Sequence, residues 1–236
     1  MDGLELAVRF SYITNQLQFC GPSCATEQFL AFVRLKKHPE QVEASLKKFE
    51  ALYPYLQVIA EKTGKHFTDY DVVEAYWIGN ALLEKFTDED MKDIIRRLVK
   101  RGMLASHANY LIEHLPTGLL PHHLANVLYV GVGKVTGSVE TTLQNMDNCR
   151  PAWGRVLEVL KDKIIVAVQP LKKEKAYFLG EEETRTALYH PDLLAPRVGD
   201  VVALHWGFAC MILDKKQQQS LQAYTQRLLK VIPTSI

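Results

Sequence analysis

Two segments in the C-terminal third carry the residue types best suited to metal chemistry. The first, Cys149-Arg-Pro-Ala-Trp-Gly154-Arg-Val, supplies a thiol. The second, Val198-Gly-Asp-Val-Val-Ala-Leu-His205-Trp-Gly-Phe-Ala209, supplies an imidazole in an apolar, strand-like run. A thiolate is a soft metal ligand, and imidazole is a good second donor. Metal binding would favour the thiolate form of the cysteine. Four further residues are weaker candidates. Cys20 and Cys24 bracket Gly21-Pro22, and His122 and His123 follow Pro121. Adjacent histidines diverge by about 100° on a helix, so they do not easily chelate one ion. One of them can still face the helical interior as a ligand or base, but Pro121 suits a first helical turn and favours an exposed capping role.

Plainer readings stand beside these. Cys149 reads as a small buried hydrophobe at a junction, and His205 as a hydrogen-bonded strand histidine. Gly21-Pro22 reads as a helix stop with incidental thiols. Structural zinc takes about four ligands as two close pairs, and no second pair completes Cys20 and Cys24. The chain has no Gly-x-Ser-x-Gly elbow, phosphate loop, dinucleotide fingerprint or His-Glu-x-x-His. Nothing therefore points to catalysis.

The elements that position these residues change character near Cys149. Residues 1–146 read as helical, with Leu4, Ala7, Val8 and Phe10 on one stripe and Val42, Leu46, Phe49 and Leu52 on another. Thr68 with Asp71, and Thr87 with Asp90, have capping-box spacing. Residues 122–129 read as a short helix. After Cys149, β-branched runs at 156–160 and 164–168 form a hairpin signal. Residues 175–179 and 184–189 suggest another strand pair, and Val201 to Leu213 a last strand. Asp214 then caps a helix with Leu221, Tyr224 and Leu228 on one face.

The chain has 236 residues, 47% hydrophobic and 23% charged, with formal net charge +1. That balance gives no polyanion-binding face, so nucleic acid is not an expected partner. No apolar run reaches the roughly 18 residues of a membrane span, and the first residues lack a signal peptide's pattern. The expectation is a cytoplasmic protein with no membrane partner, its few cysteines kept as thiols.

The C-terminal segment resembles the HypC/HupF family of NiFe-hydrogenase maturation chaperones. Cys149, Gly154, Arg155 and Val156 stand at the family's cysteine, glycine, polar and Val/Ile positions. Val198-Gly-Asp through His205-Trp-Gly-Phe-Ala209 matches its last strand. The likeness covers about 85 residues and implies a small OB-like β-barrel with a C-terminal helix. It also implies that Cys149 and His205 carry an iron fragment, Fe(CN)2CO, between an iron-assembly scaffold protein and the hydrogenase large-subunit precursor. One departure is that Cys149 is internal, whereas the family's cysteine lies near a free amino terminus. The N-terminal part is similar to an uncharacterised bacterial family through Asn15-Gln-Leu17-Gln-Phe19-Cys20-Gly21-Pro22, Pro121-His122-His123 and a Cys-Arg-x-x-Trp-Gly junction.

The expected fold is α+β in two domains: an all-α domain over 1–146, then the barrel and helix over 147–236. The expected function is an accessory chaperone rather than an enzyme. Two alternatives stay open: a helical-domain enzyme or small-molecule binder docked by the barrel, and a metal-free interaction module.

Overall fold

The computed structural model describes residues 1–23 and 25–234. It is an α+β chain, helical first and stranded later. Helices α1 (Gly3–Gln16), α2 (Ala25–Leu35), α3 (Pro39–Leu46), α4 (Leu52–Thr63) and α5 (Tyr70–Trp77) are followed by α6 (Asp88–Val99) and α7 (Ala105–Glu113). A single helical turn, α8 (His123–Ala125), runs into a π-helical segment, Asn126–Gly131, and α9 spans Leu143–Cys149. None of the described helices is long and apolar enough to cross a membrane.

Helix α1 lies at the centre of the helical part and is buried almost all round. An exposed helix would show only one apolar stripe. Asp2 caps its start, accepting from the Glu5 backbone N–H at 2.7 Å. Glu5, buried with it, pairs with Arg9 and Lys36, whose cations hold its carboxyl below the usual range against the opposing pull of desolvation. Thr87 and Asp90 form the expected capping box at the start of α6. Thr68 does not cap α5. Its hydroxyl meets His66 Nδ1 at 2.7 Å, and Asp69 takes the N-cap position without a side-chain bond.

Strands β1 (Ala152–Val159), β2 (Lys163–Val168), β5 (Glu183–Leu188), β6 (Val201–His205) and β7 (Phe208–Ile212) form a sheet that closes in the order β1-β2-β5-β7-β6. Its interior holds Val156, Ile164, Val166, Ala187, Val202 and Ala209. Strands β3 (Leu171–Lys173) and β4 (Tyr177–Leu179) pair only with each other. The strand expected at 175–179 therefore joins the one before it, while 184–189 pairs with β2. A second apolar cluster runs from Leu4 through the helices to Ala203, Phe208 and Ile232, so the barrel's outer side and the helical part share a core. Helix α10 (Lys215–Val231), capped by Asp214 and Gln217, packs across both.

The single strand expected over 201–213 is instead a hairpin. Trp206 (φ 52°) and Gly207 (φ 65°) both lie in the left-handed region, which a two-residue turn between twisted strands requires. For a residue as bulky as tryptophan this conformation is strained. It is held by the Trp206 N–H donating to the Asn148 carbonyl at 2.6 Å and by ring packing on Phe19 at 4.6 Å.

Candidate metal centre

Strand pairing is what brings the two sequence-nominated donors together. Ala152 of β1 lies opposite Leu204 of β6, so the chain entering β1 runs beside the chain leaving β6. Cys149 ends α9 just before β1, and His205 ends β6 just before its turn. Their Sγ and Nε2 atoms are 3.8 Å apart. The helical part adds a third donor, His123 of α8, with Nε2 3.6 Å from the same sulfur. Ligand atoms of His123, Cys149 and His205 all lie within 4.8 Å of one another, and all three residues are buried.

The outer hydrogen bonds orient both rings. His205 Nδ1 is 3.0 Å from the Phe10 carbonyl, which can only accept. Nδ1 therefore carries the proton, and the Nε2 lone pair faces the sulfur. His123 Nδ1 lies 2.7 Å from Tyr76 Oη, while Nε2 lies 3.1 Å from the Cys149 carbonyl. Without a metal, Nε2–H donates to that carbonyl and Tyr76 donates to Nδ1. Were Nε2 to hold a metal, the ring proton would sit on Nδ1 and Tyr76 Oη would accept it. A hydroxyl serves both states. Such second partners are what fix a ligating histidine's tautomer. Trp77 packs against both rings, with centroids 4.2 Å from His123 and 5.0 Å from His205, and stacks on Phe10 at 4.5 Å.

Burial decides the protonation states. Desolvation lowers His205 to about 4 and His123 well below the ordinary imidazole value, so both are neutral at pH 7 and keep a lone pair. Desolvation, reinforced by Cys20, pushes the Cys149 thiol well above its ordinary value. Without a metal the three donors are thus uncharged. A bound cation would supply the charge that makes the thiolate favourable.

The donors line a pocket of about 50 Å³ with Cys20, Tyr76, Trp77 and Trp206. Cys20 thus shares the pocket, its thiol raised to about 12 by burial. Cys24 lies outside the described residues. His122 is a cap as expected, since its Nδ1 accepts from the Leu124 N–H at 3.1 Å. It is buried rather than exposed, and desolvation lowers it to about 3. Cys210 is core.

The entire chain, residues 1–236, matches a family of unknown function, DUF6390. The chain belongs to that family. No curated protein and no solved structure matches it. In this DUF6390 member the family match spans the helical part and the barrel alike, so both sides of the pocket fall within it. Sequence reasoning had no cue to Tyr76 and Trp77 beyond a helical stripe. The cue to His123 was its place after Pro121.

Proposed function

We propose that this chain is an accessory protein of NiFe-hydrogenase maturation that carries or guards an Fe(CN)2CO fragment. The observation that carries the proposal is the convergence of His123, Cys149 and His205 within 4.8 Å, one soft thiol and two neutral imidazoles. The resemblance to HypC/HupF supplies the identity of the cargo. The barrel's strand order supports an OB-like reading, because the third and fifth barrel strands meet in parallel at Leu188 and Phe208. Among the described residues no Asp, Glu, Lys or Arg lines the pocket, and iron(II) with two cyanides is a neutral unit until the Cys149 thiolate joins it.

On this reading the chain is a cytoplasmic, two-part carrier. The helical part contributes His123 and a cover that keeps water from the fragment. Docking partners are the iron-assembly scaffold protein and the hydrogenase large-subunit precursor. Because Cys149 is internal and buried, hand-over requires the cover to open. The alternative of a helical-domain enzyme or small-molecule binder is less favoured. A pocket of about 50 Å³ is well below the roughly 300 Å³ at which sites for drug-sized ligands begin.

The test is an infrared spectrum of protein purified anaerobically from a host with active maturation machinery. Carbonyl and cyanide stretches in the wild type that vanish in Cys149→Ala are expected. Their absence from wild type, with metal analysis also blank, would overturn the proposal.

A further inference from the structure

A basic groove lies in the helical part, apart from the metal centre. It runs between the end of α3, the start of α4 and the last turn of α6, and none of its lining residues lines the metal pocket. Five Lys or Arg side chains face two carboxylates there, an excess of three in a chain whose formal net charge is +1. Helix ends do not account for that excess. Two C-termini meet here, α3 at Lys47 and α6 at Lys100, against one N-terminus, that of α4 beside Tyr53. At about half a charge per end, the dipoles offset only about half of one charge.

The chain spends two of these cations on its own carboxylates. Arg97 meets Glu61 through two bonds of 2.9 and 2.7 Å and Asp93 at 2.8 Å. Arg96 reaches Glu89, outside the groove, at 2.9 Å. Lys47, Lys100 and Arg101 have no carboxylate partner among the described residues. Arg101 is nevertheless fixed. Its Nη2 donates to the Lys47 carbonyl, and its guanidinium lies 5.3 Å from the centre of the Tyr53 ring. A guanidinium has five N–H donors in a planar fork that fits a carboxylate, and one carbonyl bond leaves most of them available. Lys47 and Lys100 are exposed on either side of it in the groove lining.

We infer that this groove docks an acidic segment of a partner protein, with Arg101 gripping one carboxylate and Lys47 and Lys100 drawing in others. A fork already held by stacking and by a backbone bond loses little freedom on binding, which favours it as the anchor. Nucleic acid is the poorer occupant. Glu61 and Asp93 stand within the groove, and a duplex carries one phosphate charge per about 1.7 Å, too dense to pass them without repulsion. An extended peptide places side chains of one face about 7 Å apart, so its acidic groups can straddle those carboxylates. Half-buried Tyr53 offers apolar surface to the residues between. The inference does not depend on the metal centre.

The experiment titrates the metal-free full chain into a labelled oligoglutamate peptide at low salt, followed by fluorescence anisotropy. Saturable binding is expected, weakening as salt shortens the Debye length from about 30 Å at 0.01 M to about 8 Å at 0.15 M. The double variant Lys47→Glu, Lys100→Glu is expected to bind about tenfold or more weakly, because it replaces attraction with like-charge repulsion. Lys161→Glu with Lys163→Glu makes the same change of net charge at the exposed β1–β2 turn, and is expected to stay within about twofold of wild type. Arg101→Lys keeps the charge and loses the fork, and is expected to cost about threefold or more. The inference is overturned by any of four results: no saturable binding, equal loss in the two double variants, wild-type affinity in Arg101→Lys, or tighter binding of an oligothymidylate of equal charge.

Discussion

Cys149 is flanked by two buried polar clusters that differ in how far the chain satisfies them. On one side, Asp147 Oδ1 accepts from Arg150 Nε at 2.9 Å and from the Leu171 N–H at 2.8 Å. Its Oδ2 pairs with Arg185 at 2.7 Å, and Arg150 also donates to the Gln169 carbonyl. That network closes on itself and ties α9 to β3 and β5. On the other side lie His123, Cys149 and His205, in a pocket also lined by Ser11, Trp77 and Asn126, each of which has an unpaired buried polar atom. A closed network rigidifies without help, whereas an open one carries an uncompensated desolvation cost. The first cluster is therefore architecture, and the second is the cluster that could hold a metal.

Breaking the closed cluster has the largest expected effect. Asp147→Ala leaves the Arg150 charge, 1% exposed, without its partner, and is expected to cost about 3–5 kcal/mol in denaturant unfolding, with metal or without. A loss under about 1 kcal/mol would show that the two clusters do not differ as described. The open cluster responds in a different observable. Tyr76→Phe removes the partner that steers the His123 tautomer and is expected to weaken metal binding about 10–100-fold in a competition titration. Unchanged affinity would remove His123 from the donor set.

A pH series separates the clusters further. Burial lowers His205 to about 4 and His122 to about 3, against 6.5 for an ordinary histidine. As pH falls through about 6.5 the unfolded chain takes up protons that the folded chain refuses. Stability of the metal-free protein is therefore full above about pH 6.5 and declines toward about pH 4. Denaturant midpoints recorded in chelator from pH 7.5 to 5 check this, and His122→Asn, which keeps a cap, should lessen the slope. A flat series would mean that these histidines are not sealed from water. The smallest effect belongs to a surface pair. Arg227→Ala breaks the Glu84–Arg227 contact, whose side chains are about half exposed, and should move stability by no more than about 1 kcal/mol with metal binding unchanged.

How much of this was legible in the sequence depended on the range of the interaction involved. The first barrel hairpin could be read because β-branched runs at 156–160 and 164–168 stand either side of a short charged turn, whereas the inward alternation of Ile164, Val166 and Val168 is visible only in the structure. Cys149 and His205 could be nominated by residue type, and the resemblance placed them in one site. The Trp206–Gly207 turn was missed because tryptophan in a left-handed conformation contradicts local preference. It is held there by Asn148 and Phe19, which are distant in sequence. His123 stands only as a weaker candidate in the sequence, because neighbouring histidines do not easily chelate one ion, although one of the pair can face the interior as a ligand. The structure gives His122 to a cap and His123 to the pocket, a division decided by packing between the helical part and the barrel.

The most direct test of the central claim is X-ray absorption at the zinc edge of the full chain loaded with one equivalent of zinc. The account predicts one sulfur near about 2.3 Å and two imidazole nitrogens near about 2.0–2.1 Å, with the sulfur lost in Cys149→Ala. A first shell without sulfur, or one unchanged by that substitution, would contradict it.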